Sequence, residues 1–229
     1  MIKNFNYYSN LYNSDKGDIF PKGNNYAHWY ENWFSYIKET VTDILEIGVW
    51  EGASGKAFAD YFPNSQIIGF DIKDTTQYNT ERIKNRILNQ GDLEQLDNFV
   101  NECKSKDLQF DIILDDGSHE VSHQQLSFGK LFPLVKPGGL YIIEDLCFSY
   151  FQVGYHNQTE ETFNHNTVKF LTERPFNSPW ILLSDLDYIN ENVNYVSMFD
   201  RLNKNNIANY QCINNYPARS ITSIIKKYK

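Results

Sequence analysis

The sequence predicts an α/β fold in which a mostly parallel central sheet is flanked by helices. Three observations support this prediction. Short apolar segments recur between residues 43 and 145, each ends in polar or glycine-containing sequence, and segments with helical periodicity lie between them. Strands of a parallel sheet are continuously apolar because helices cover both of its faces. The alternation of such strands with helices therefore indicates right-handed βαβ units.

Four apolar segments are the predicted strands: DILEIGV, QIIGFDI, FDIILDD and LYIIED, at residues 43–49, 66–72, 110–116 and 140–145. The spacing of apolar residues predicts helices at 26–38, 53–62, 93–103 and 120–132. Residues 78–90 have a mixed pattern for which we expect a helix. The segment KPGG at 136–139 predicts a turn.

The two ends of the chain have weaker patterns. We interpret residues 1–38 as an N-terminal helical extension and residues 39–229 as one domain with a lid-like insertion around 148–178. Long loops in compact domains often cover a binding site. A helix-like segment at 167–173, and a further helix and strand within 180–200, are expected next. The last 25 residues show no pattern that favours one structure.

The composition argues against several classes of protein. A net charge of −8 disfavours a nucleic-acid-binding protein, which needs lysine and arginine to neutralise phosphates. No segment approaches the roughly 18 apolar residues of a membrane-spanning helix, and the first residues have no apolar core of a signal peptide. The three cysteines lack the spacing of a disulfide framework or a zinc site. We expect a cytoplasmic protein that binds neither nucleic acid nor membrane, with a homo-oligomer left open.

The first motif with a chemical meaning is the turn after the first predicted strand, Glu46-Ile47-Gly48-Val49-Trp50-Glu51-Gly52-Ala53-Ser54. Glycines let the backbone turn tightly and approach a ligand closely, and the next helix begins with unpaired N–H groups. A pyrophosphate-binding turn would read G-x-G-x-x-G, whereas this turn has Glu46 before its first glycine. A carboxylate there would repel pyrophosphate but attract an ammonium group, such as that of S-adenosylmethionine.

Two further acidic residues follow the glycine turn along the chain. Asp71 ends QIIGFDI, where a carboxylate can accept hydrogen bonds from both hydroxyls of a ribose. Asp92 follows Gly91, and its short side chain is predicted to reach an adenine amino group. These acids and the turn predict a binding site for S-adenosylmethionine. Its candidate residues in the turn are Glu46, Gly48, Gly52 and Ser54.

Acidic residues and a histidine follow the third and fourth predicted strands. They are Asp115, Asp116 and His119 in the segment DDGSH, and Glu144 and Asp145 in the segment IED. Because the carboxyl ends of neighbouring parallel strands meet at one crevice, we expect these side chains to converge. Several carboxylates in a small space need a cation, and hard oxygen ligands suit Mg²⁺. Such an ion would lower the pKa of an acceptor hydroxyl, and His119 would remove its proton.

The segments EIGVWEGASG, FDI, GD, DDGSH and IEDL together resemble the class I S-adenosylmethionine-dependent methyltransferases. More narrowly, they resemble the metal-dependent sugar O-methyltransferases typified by the macrocin and mycinamicin enzymes. The resemblance covers residues 43–150, and Ser14-Asp15-Lys16-Gly17 is similar to a segment that precedes the domain in those proteins. It implies a Rossmann-like methyltransferase fold with an antiparallel edge strand.

The resemblance also implies roles for individual residues. It assigns Asp116, Glu144 and Asp145 to the metal ion and His119 to the general base. We add Asp115 and Lys16 to the residues expected at the cofactor, Lys16 because it can reach the cofactor carboxylate.

These expectations predict an S-adenosylmethionine-dependent O-methyltransferase, assisted by Mg²⁺ or another divalent cation. Its substrate is expected to be a sugar hydroxyl on a nucleotide sugar, a bacterial surface polysaccharide or a glycosylated natural product. One alternative is a metal-independent methyltransferase of small molecules. Another is a non-haem iron oxygenase that uses Asp116 or Glu144 with His119 and His123. The missing G-x-G-x-x-G spacing disfavours an NAD-dependent oxidoreductase, and the intact acidic and histidine set disfavours an inactive partner protein.

Overall fold

The structure is a computed structural model that describes residues 3–19, 24–150, 158–202 and 219–228. Its central sheet has the strand order β3-β2-β1-β4-β5-β7-β6. The strands are β1 (Asp43–Ile47), β2 (Gln66–Asp71), β3 (Ile83–Ile87), β4 (Phe110–Asp115), β5 (Val135–Ile143), β6 (Val193–Leu202) and β7 (Arg219–Lys227).

The pairing of the strands confirms the predicted mostly parallel sheet. The pairs β1–β2, β2–β3, β1–β4 and β4–β5 are all parallel. Antiparallel pairing is confined to one edge, where β7 lies between β5 and β6 and runs opposite to both. The carboxyl ends of the parallel strands therefore meet along one side of the sheet.

Helices cover both faces of this sheet. They are α1 (Phe5–Leu11), α2 (Ala27–Phe34), α3 (Ala53–Tyr61), α4 (Leu93–Ser105), α5 (Val121–Leu131), α6 (Glu160–Asn164), α7 (Thr167–Thr172) and α8 (Leu183–Asn192). Short 3-10 helices occupy Thr76–Tyr78, Phe132–Leu134 and Leu146–Tyr150. No helix within the described ranges is long and apolar enough to cross a membrane.

The continuously apolar strands are buried on both faces, as their sequence predicts. In β1, Leu45 belongs to the hydrophobic cluster that includes α4 and α5, whereas Ile44 belongs to the cluster that includes α2 and α3. In β4, Ile113 and Ile112 divide in the same way. Successive side chains of a strand point to opposite faces, so an apolar run is needed to fill both clusters.

The prediction of a helix at residues 78–90 is wrong, because the structure has β3 there. This strand is at the edge of the sheet and pairs only with β2. Ile83 and Asn85 are buried, whereas Lys84 and Ile87 are exposed. An edge strand that is half solvated needs few apolar residues, so it lacks the continuous apolar run of the central strands.

Two further differences from the sequence analysis concern residues 136–139 and the C-terminal strand. The KPGG segment predicted as a turn lies inside β5, which begins at Val135, and the register with β4 shifts between Phe110 and Ile112. At the C-terminus, where the sequence favoured no structure, β7 buries Ile221, Ile224 and Ile225. The helix-like segment at 167–173 corresponds to α7, and the helix and strand expected within 180–200 correspond to α8 and β6.

The N-terminal segment packs against the domain through aromatic side chains. The ring of Phe5 stacks on Phe58 of α3 with centroids 5.1 Å apart and meets the edge of Phe34 at 5.2 Å. Tyr30 and Tyr61 complete this cluster. This packing holds residues 13–16, which follow α1, at the edge where the parallel strands end.

The lid-like insertion expected around 148–178 is described in part, since residues 151–157 lie outside the described ranges. Its α7 packs on α5, where Thr167 Oγ1 donates to Gln124 Oε1 at 2.8 Å. Phe170 and Leu171 of α7 are buried in the hydrophobic cluster of that face.

Candidate active site

An open cleft of about 830 Å³ lies at the carboxyl ends of the parallel strands. Its walls come from residues 13–16, from the glycine turn after β1, from the ends of β2 and β3, and from the segments that follow β4 and β5. Ligand sites of open α/β sheets are found at this edge, and the volume suits a small-molecule ligand.

The glycine turn requires glycine at two positions. Gly48 has a φ of +84°, and a Cβ there would lie 2.1 Å from the backbone oxygen of Asp116. Gly52 is the N-cap residue directly before α3 and has a φ of +70°, and a Cβ there would lie 2.9 Å from Cβ of Tyr78. A side chain at either position would therefore combine left-handed strain with a steric clash.

Asp71 holds this turn from the end of β2. Its Oδ2 accepts hydrogen bonds from the backbone N–H groups of Val49 and Trp50, each at 3.0 Å. Its Oδ1 accepts from the backbone N–H of Lys73 at 2.9 Å. Asp71 lines the cleft, and its hydrogen bonds also hold the glycine turn in place.

Glu46 lies beneath the cleft and is 1% exposed. Its carboxylate accepts a hydrogen bond from the hydroxyl of Ser54, which does line the cleft. Burial raises the pKa of Glu46 from 4.5 to about 7, against the opposing effects of Lys16 and the Ser54 hydroxyl. The structure thus presents Ser54, and not Glu46, at the surface of the cleft.

Asp92 is not part of the cleft wall. It caps the N-terminus of α4, where its Oδ1 accepts from the backbone N–H of Gln95 at 3.1 Å. Its Oδ2 accepts from the side-chain amide of the same residue at 2.8 Å. The end of β3 instead contributes Leu88, Asn89 and Gln90 to the cleft.

Gln90 is a site residue that the sequence reasoning missed. Its amide nitrogen donates to Asp115 Oδ1 at 3.1 Å, and its amide oxygen accepts from the backbone N–H of Ser118 at 2.6 Å. Asp115 is 1% exposed and also accepts from Ser127 at 2.7 Å. Burial raises the pKa of Asp115. Through these contacts Gln90 and the buried Asp115 hold the DDGSH segment in place beneath the cleft. No sequence pattern around Gln90 points to this contact.

Asp116, His119 and Asp145 converge in the cleft. Each offers one ligand atom, and these atoms all lie within 4.8 Å of one another. His119 Nε2 lies 3.7 Å from Asp145 Oδ2. Burial raises the pKa of Asp116 to about 6, although Lys16 and His119 oppose this. In the part of the chain that the structure describes, no other group of histidine, cysteine and acidic residues has this geometry.

Two members of this group have an unfavourable backbone conformation. His119 has a φ of +60° and Asp145 a φ of +53°. Left-handed conformations are uncommon for residues other than glycine, and such strain is concentrated at functional sites. The conformation is consistent with a functional demand on where these two side chains point.

Glu144 is not one of the three residues of this group. It is fully buried, and its Oε1 accepts from the hydroxyl of Tyr30 at 2.7 Å. Its Oε2 lies 3.2 Å from the ammonium of Lys16, which also donates to Asp116 Oδ2 at 2.7 Å. Burial, followed by the charge of Asp116, raises the pKa of Glu144 well above its usual range. Lys16 lines the cleft but pairs with these acids, whereas the sequence predicted that it would meet a cofactor carboxylate.

The N-terminal segment contributes further residues that the sequence reasoning missed. The hydroxyl of Tyr26 donates to Asp145 Oδ1 at 2.9 Å, and the amide of Asn24 donates to the same oxygen at 3.3 Å. Tyr26 and Tyr30 are four residues apart at the start of the predicted helix, so they lie on one helix face. That spacing marks the pair, but their acidic partners are visible only in the fold.

His123 lies apart from the converging group. Its Nδ1 is 3.0 Å from the Ser118 hydroxyl, and its Nε2 is 3.6 Å from Glu120. A non-haem iron site with both His119 and His123 as ligands would need the two rings on one ion. Within the described residues, the candidate metal group contains His119 alone of the two.

The mostly parallel sheet with its antiparallel edge, flanked by helices, is the Rossmann-like fold that solved methyltransferase structures share. No protein-family model matches the chain. Among solved structures, the mycinamicin-pathway methyltransferase MycE in complex with Mg and SAH (S-adenosylhomocysteine) matches with a TM-score of 0.73 and 25% identity. That match covers 99% of this chain and 55% of the MycE chain.

Curated relatives point to the same group of proteins. Mycinamicin VI 2''-O-methyltransferase of Micromonospora griseorubida is 36% identical over 146 residues, which are 59% of this chain and 35% of that protein. Demethylmacrocin O-methyltransferase of Streptomyces fradiae is 35% identical over 134 residues, 54% of this chain and 33% of that protein. The chain spans about a third of the length of these relatives. The comparisons confirm its resemblance to class I S-adenosylmethionine-dependent methyltransferases and, within them, to sugar O-methyltransferases.

Proposed function

We propose that the chain is an S-adenosylmethionine-dependent O-methyltransferase, assisted by a divalent cation such as Mg²⁺, that methylates a sugar hydroxyl of a glycosylated small molecule. The observation that carries the proposal is the convergence of Asp116, His119 and Asp145 on the cleft formed by the glycine turn. One wall of this cleft suits a nucleoside cofactor, and the other suits an ion and an acceptor hydroxyl.

The first wall supports the cofactor through close backbone approach and one carboxylate. The absence of a side chain at Gly48 leaves the turn packed directly on the backbone of Asp116. A carboxylate has about four lone-pair positions, and backbone N–H groups occupy three of those of Asp71. Asp71 is therefore proposed to accept from one ribose hydroxyl, with Ser54 contributing a hydroxyl nearby.

The second wall supports a cation and proton removal. We assign Asp116 and Asp145 to the divalent cation, because their oxygens are hard ligands at the cleft surface. When bound, such an ion lowers the pKa of the acceptor hydroxyl and holds its oxygen in place. His119 is proposed to take the proton; its Nε2 lies 3.7 Å from Asp145 Oδ2. Tyr26 and Asn24 hold the other oxygen of Asp145.

The proposed acceptor class follows from the relatives. Their names specify hydroxyl positions on glycosylated natural products, such as mycinamicin VI and a rhamnosyl tetracenomycin C. The structures of MycE include one with Mg, SAH and Mycinamycin VI. A sugar hydroxyl on a small glycosylated molecule is accordingly the acceptor that we propose for this chain.

The test combines binding and methyl transfer. SAH binding is measured by calorimetry, and transfer of a labelled methyl group from S-adenosylmethionine is measured on a panel of glycosylated macrolides and nucleotide sugars. We expect His119→Ala to keep its SAH affinity and to lose about 10²–10⁴-fold in turnover, the usual contribution of a general base. His28→Ala serves as the control, since His28 pairs with Asp18 and does not line the cleft.

Three results would count against the proposal. Failure of the wild-type chain to bind SAH would remove the cofactor assignment. Full turnover after thorough chelation of divalent cations would remove the metal. An unchanged turnover in His119→Ala would remove the general base.

A further inference from the structure

Trp50 lies in the glycine turn and lines the cleft, and the proposed mechanism does not use its side chain. Four tryptophans occur in the chain, all within the described residues, and Trp50 alone of them is exposed, at 72%. Trp29 and Trp33 instead pack against the hydrophobic cluster around α2 and α3. An indole offers a large apolar surface for contact, so an exposed one on the wall of a cleft indicates a surface that a ligand covers.

The backbone of Trp50 has an unfavourable conformation, with a φ of +51°. Left-handed backbone is unfavourable for residues other than glycine, and for a bulky residue it is an outlier. Glycine occupies the two neighbouring left-handed positions of the turn, Gly48 and Gly52. A third glycine at residue 50 would suit the fold better, so the indole is present in spite of the backbone and not because of it.

Asp71 fixes the position of this indole. Its Oδ2 accepts from the backbone N–H of Trp50 at 3.0 Å, and its Oδ1 accepts from that of Lys73 at 2.9 Å. The side chains of these two residues then meet, with the Lys73 ammonium 5.1 Å from the centre of a Trp50 ring. Such a cation–π contact favours one orientation of the ring. The indole is thus held beside the carboxylate that we assign to the ribose.

Two neighbours of Asp71 in the chain add to the same wall of the cleft. Ile72 lines the cleft and is 66% exposed. Thr75 also lines it, and the buried hydroxyl of Thr75 has no hydrogen-bond partner among the described residues. Exposed apolar side chains together with an unpaired hydroxyl suit a ligand that has both C–H surfaces and hydroxyl groups. A ribose has both.

We propose that Trp50 is a nucleoside-binding residue whose indole packs on the ribose of the cofactor and covers it from solvent, with Lys73 orienting the ring. This inference rests on the cofactor of the proposed function. It accounts for an exposed indole, for left-handed backbone at a bulky residue, and for the two backbone N–H groups of Trp50 and Lys73 that share Asp71. Its consequence is a residue that weakens the free fold and strengthens the bound state.

The test begins with SAH affinity, measured by calorimetry on the full chain. The main variant is Trp50→Asn, because asparagine tolerates left-handed backbone and keeps the turn while the indole is lost. We expect it to bind SAH at least about tenfold more weakly than the wild type, since the apolar contact of an aromatic side chain is lost. Trp50→Phe retains a ring and should stay within about threefold of the wild type.

Trp50→Gly separates a ligand contact from a structural one. Glycine removes the left-handed strain, although it also gives the unfolded chain more freedom. Its midpoint of urea denaturation should therefore be no lower than that of the wild type, while SAH affinity falls at least about tenfold. Asp107→Gly is the matched control, because Asp107 also has a φ of +51° but does not line the cleft. It should bind SAH as the wild type does.

The fluorescence of Trp50 provides a direct readout of the contact. An indole exposed to water emits at longer wavelength than a covered one, so SAH should shift the emission of the wild type to shorter wavelength. In Trp50→Phe the shift should be absent although SAH still binds. That result would assign the shift to Trp50 and not to Trp29, Trp33 or Trp180.

Mn²⁺ binding, measured by the loss of the free Mn²⁺ signal in electron paramagnetic resonance, shows whether a variant disturbs the rest of the cleft. Mn²⁺ is a probe of the proposed metal site, and Trp50 is not a member of the group that can hold a metal ion. Trp50→Asn keeps the turn, so its Mn²⁺ affinity should stay within about threefold of the wild type.

The proposal is overturned if Trp50→Asn binds SAH as tightly as Trp50→Phe, if it loses Mn²⁺ and SAH affinity together, or if SAH leaves the emission of Trp50 unchanged. A lower urea midpoint in Trp50→Gly than in the wild type also overturns it, because the indole then serves the fold.

If one of these results occurs while the wild type binds SAH and transfers methyl groups, the inference fails alone and the proposed function stands. If SAH affinities follow the expected order but no methyl transfer is found, the proposed function fails and the role of Trp50 stands. A wild type that does not bind SAH overturns both.

Discussion

The two walls of the cleft use acidic residues in different ways. On the β1–β2 wall, Asp71 accepts hydrogen bonds from the backbone of the glycine turn, and Glu46 is buried beneath Ser54. On the β4–β5 wall, Asp116 and Asp145 direct ligand atoms towards His119 at the surface of the cleft. The first wall is thus formed mainly by backbone, which its acidic side chains hold in place. On the second wall, charged side chains face the cleft.

The two walls are nevertheless joined at one point. The N–H of Asp116 donates to the carbonyl of Ile47 at 2.9 Å, directly before Gly48. The backbone oxygen of Asp116 then packs where a side chain of residue 48 would lie. A change in the glycine turn should therefore disturb the acidic wall, although the reverse need not hold.

The largest effect is expected for Gly48→Ala. The added Cβ would combine left-handed strain with a contact of 2.1 Å to backbone that cannot move freely. We expect a loss of roughly 2–5 kcal/mol in the free energy of unfolding, measured by urea denaturation, with loss of both SAH and Mn²⁺ binding.

Gly138→Ala is the control for this change. Gly138 has a similar φ of +77° but lies near the start of β5, at the other end of the sheet. It should lose stability from strain and keep both binding activities. Mn²⁺ binding at the wild-type level in folded Gly48→Ala would show that the two walls are independent.

An intermediate effect is expected for Glu46→Gln, and it depends on pH. Because the folded-state pKa of Glu46 is about 7 and its ordinary value is 4.5, the folded protein binds more protons between these values than the unfolded chain. The contribution of Glu46 to stability is therefore full below pH 4.5 and is lost as pH rises to about 7. The slope is at most about 1.4 kcal/mol per pH unit.

The glutamine cannot titrate but can still accept from Ser54. The stability of Glu46→Gln relative to the wild type should therefore rise across this pH range and level off above it, as measured by urea denaturation at several pH values. Glu51→Gln, at an exposed position of the same turn, should show no such trend. Parallel stability curves for Glu46→Gln and the wild type would mean that Glu46 is not buried beneath the β1–β2 wall.

The smallest effect is expected for Asp92→Ala. This residue caps α4 and does not line the cleft, so the loss should be about 1 kcal/mol in the free energy of unfolding with no change in SAH affinity. Asp71→Asn is the informative partner, because Asp71 does line the β1–β2 wall and should lose SAH affinity. A tenfold weaker SAH affinity in Asp92→Ala would return Asp92 to the cofactor site.

A strand could be predicted from the sequence only where its own residues show a clear pattern. The strands β1, β2, β4 and β5 are buried on both faces, so their apolar runs mark them without any knowledge of the fold. The edge strand β3 is half solvated. The position of β7 depends on its pairing with β6 and with β5, and β5 is far from both of these strands in sequence. Neither pairing leaves a local pattern strong enough to identify the strand.

For the candidate site, the sequence by itself determined which segments meet. The turn at Gly48, the acid Asp71 and the segments DDGSH and IED each follow a predicted strand, and parallel strands bring their carboxyl ends to one edge. This is a property of the α/β topology, and it holds whatever the side chains then do.

Only the tertiary structure decided where each side chain points. It turned Glu144 towards Lys16 and Tyr30, placed Asp92 at a helix cap, and buried Glu46 beneath Ser54. The contacts of Glu144 join segments far apart in the chain, whereas Asp92 and Glu46 meet partners that are three and eight residues away. In each case desolvation and the available partners determine the position of the charged group. Sequence spacing contains no information on the contacts between distant segments, and so Lys16 was recognised as a candidate but its acidic partners were not.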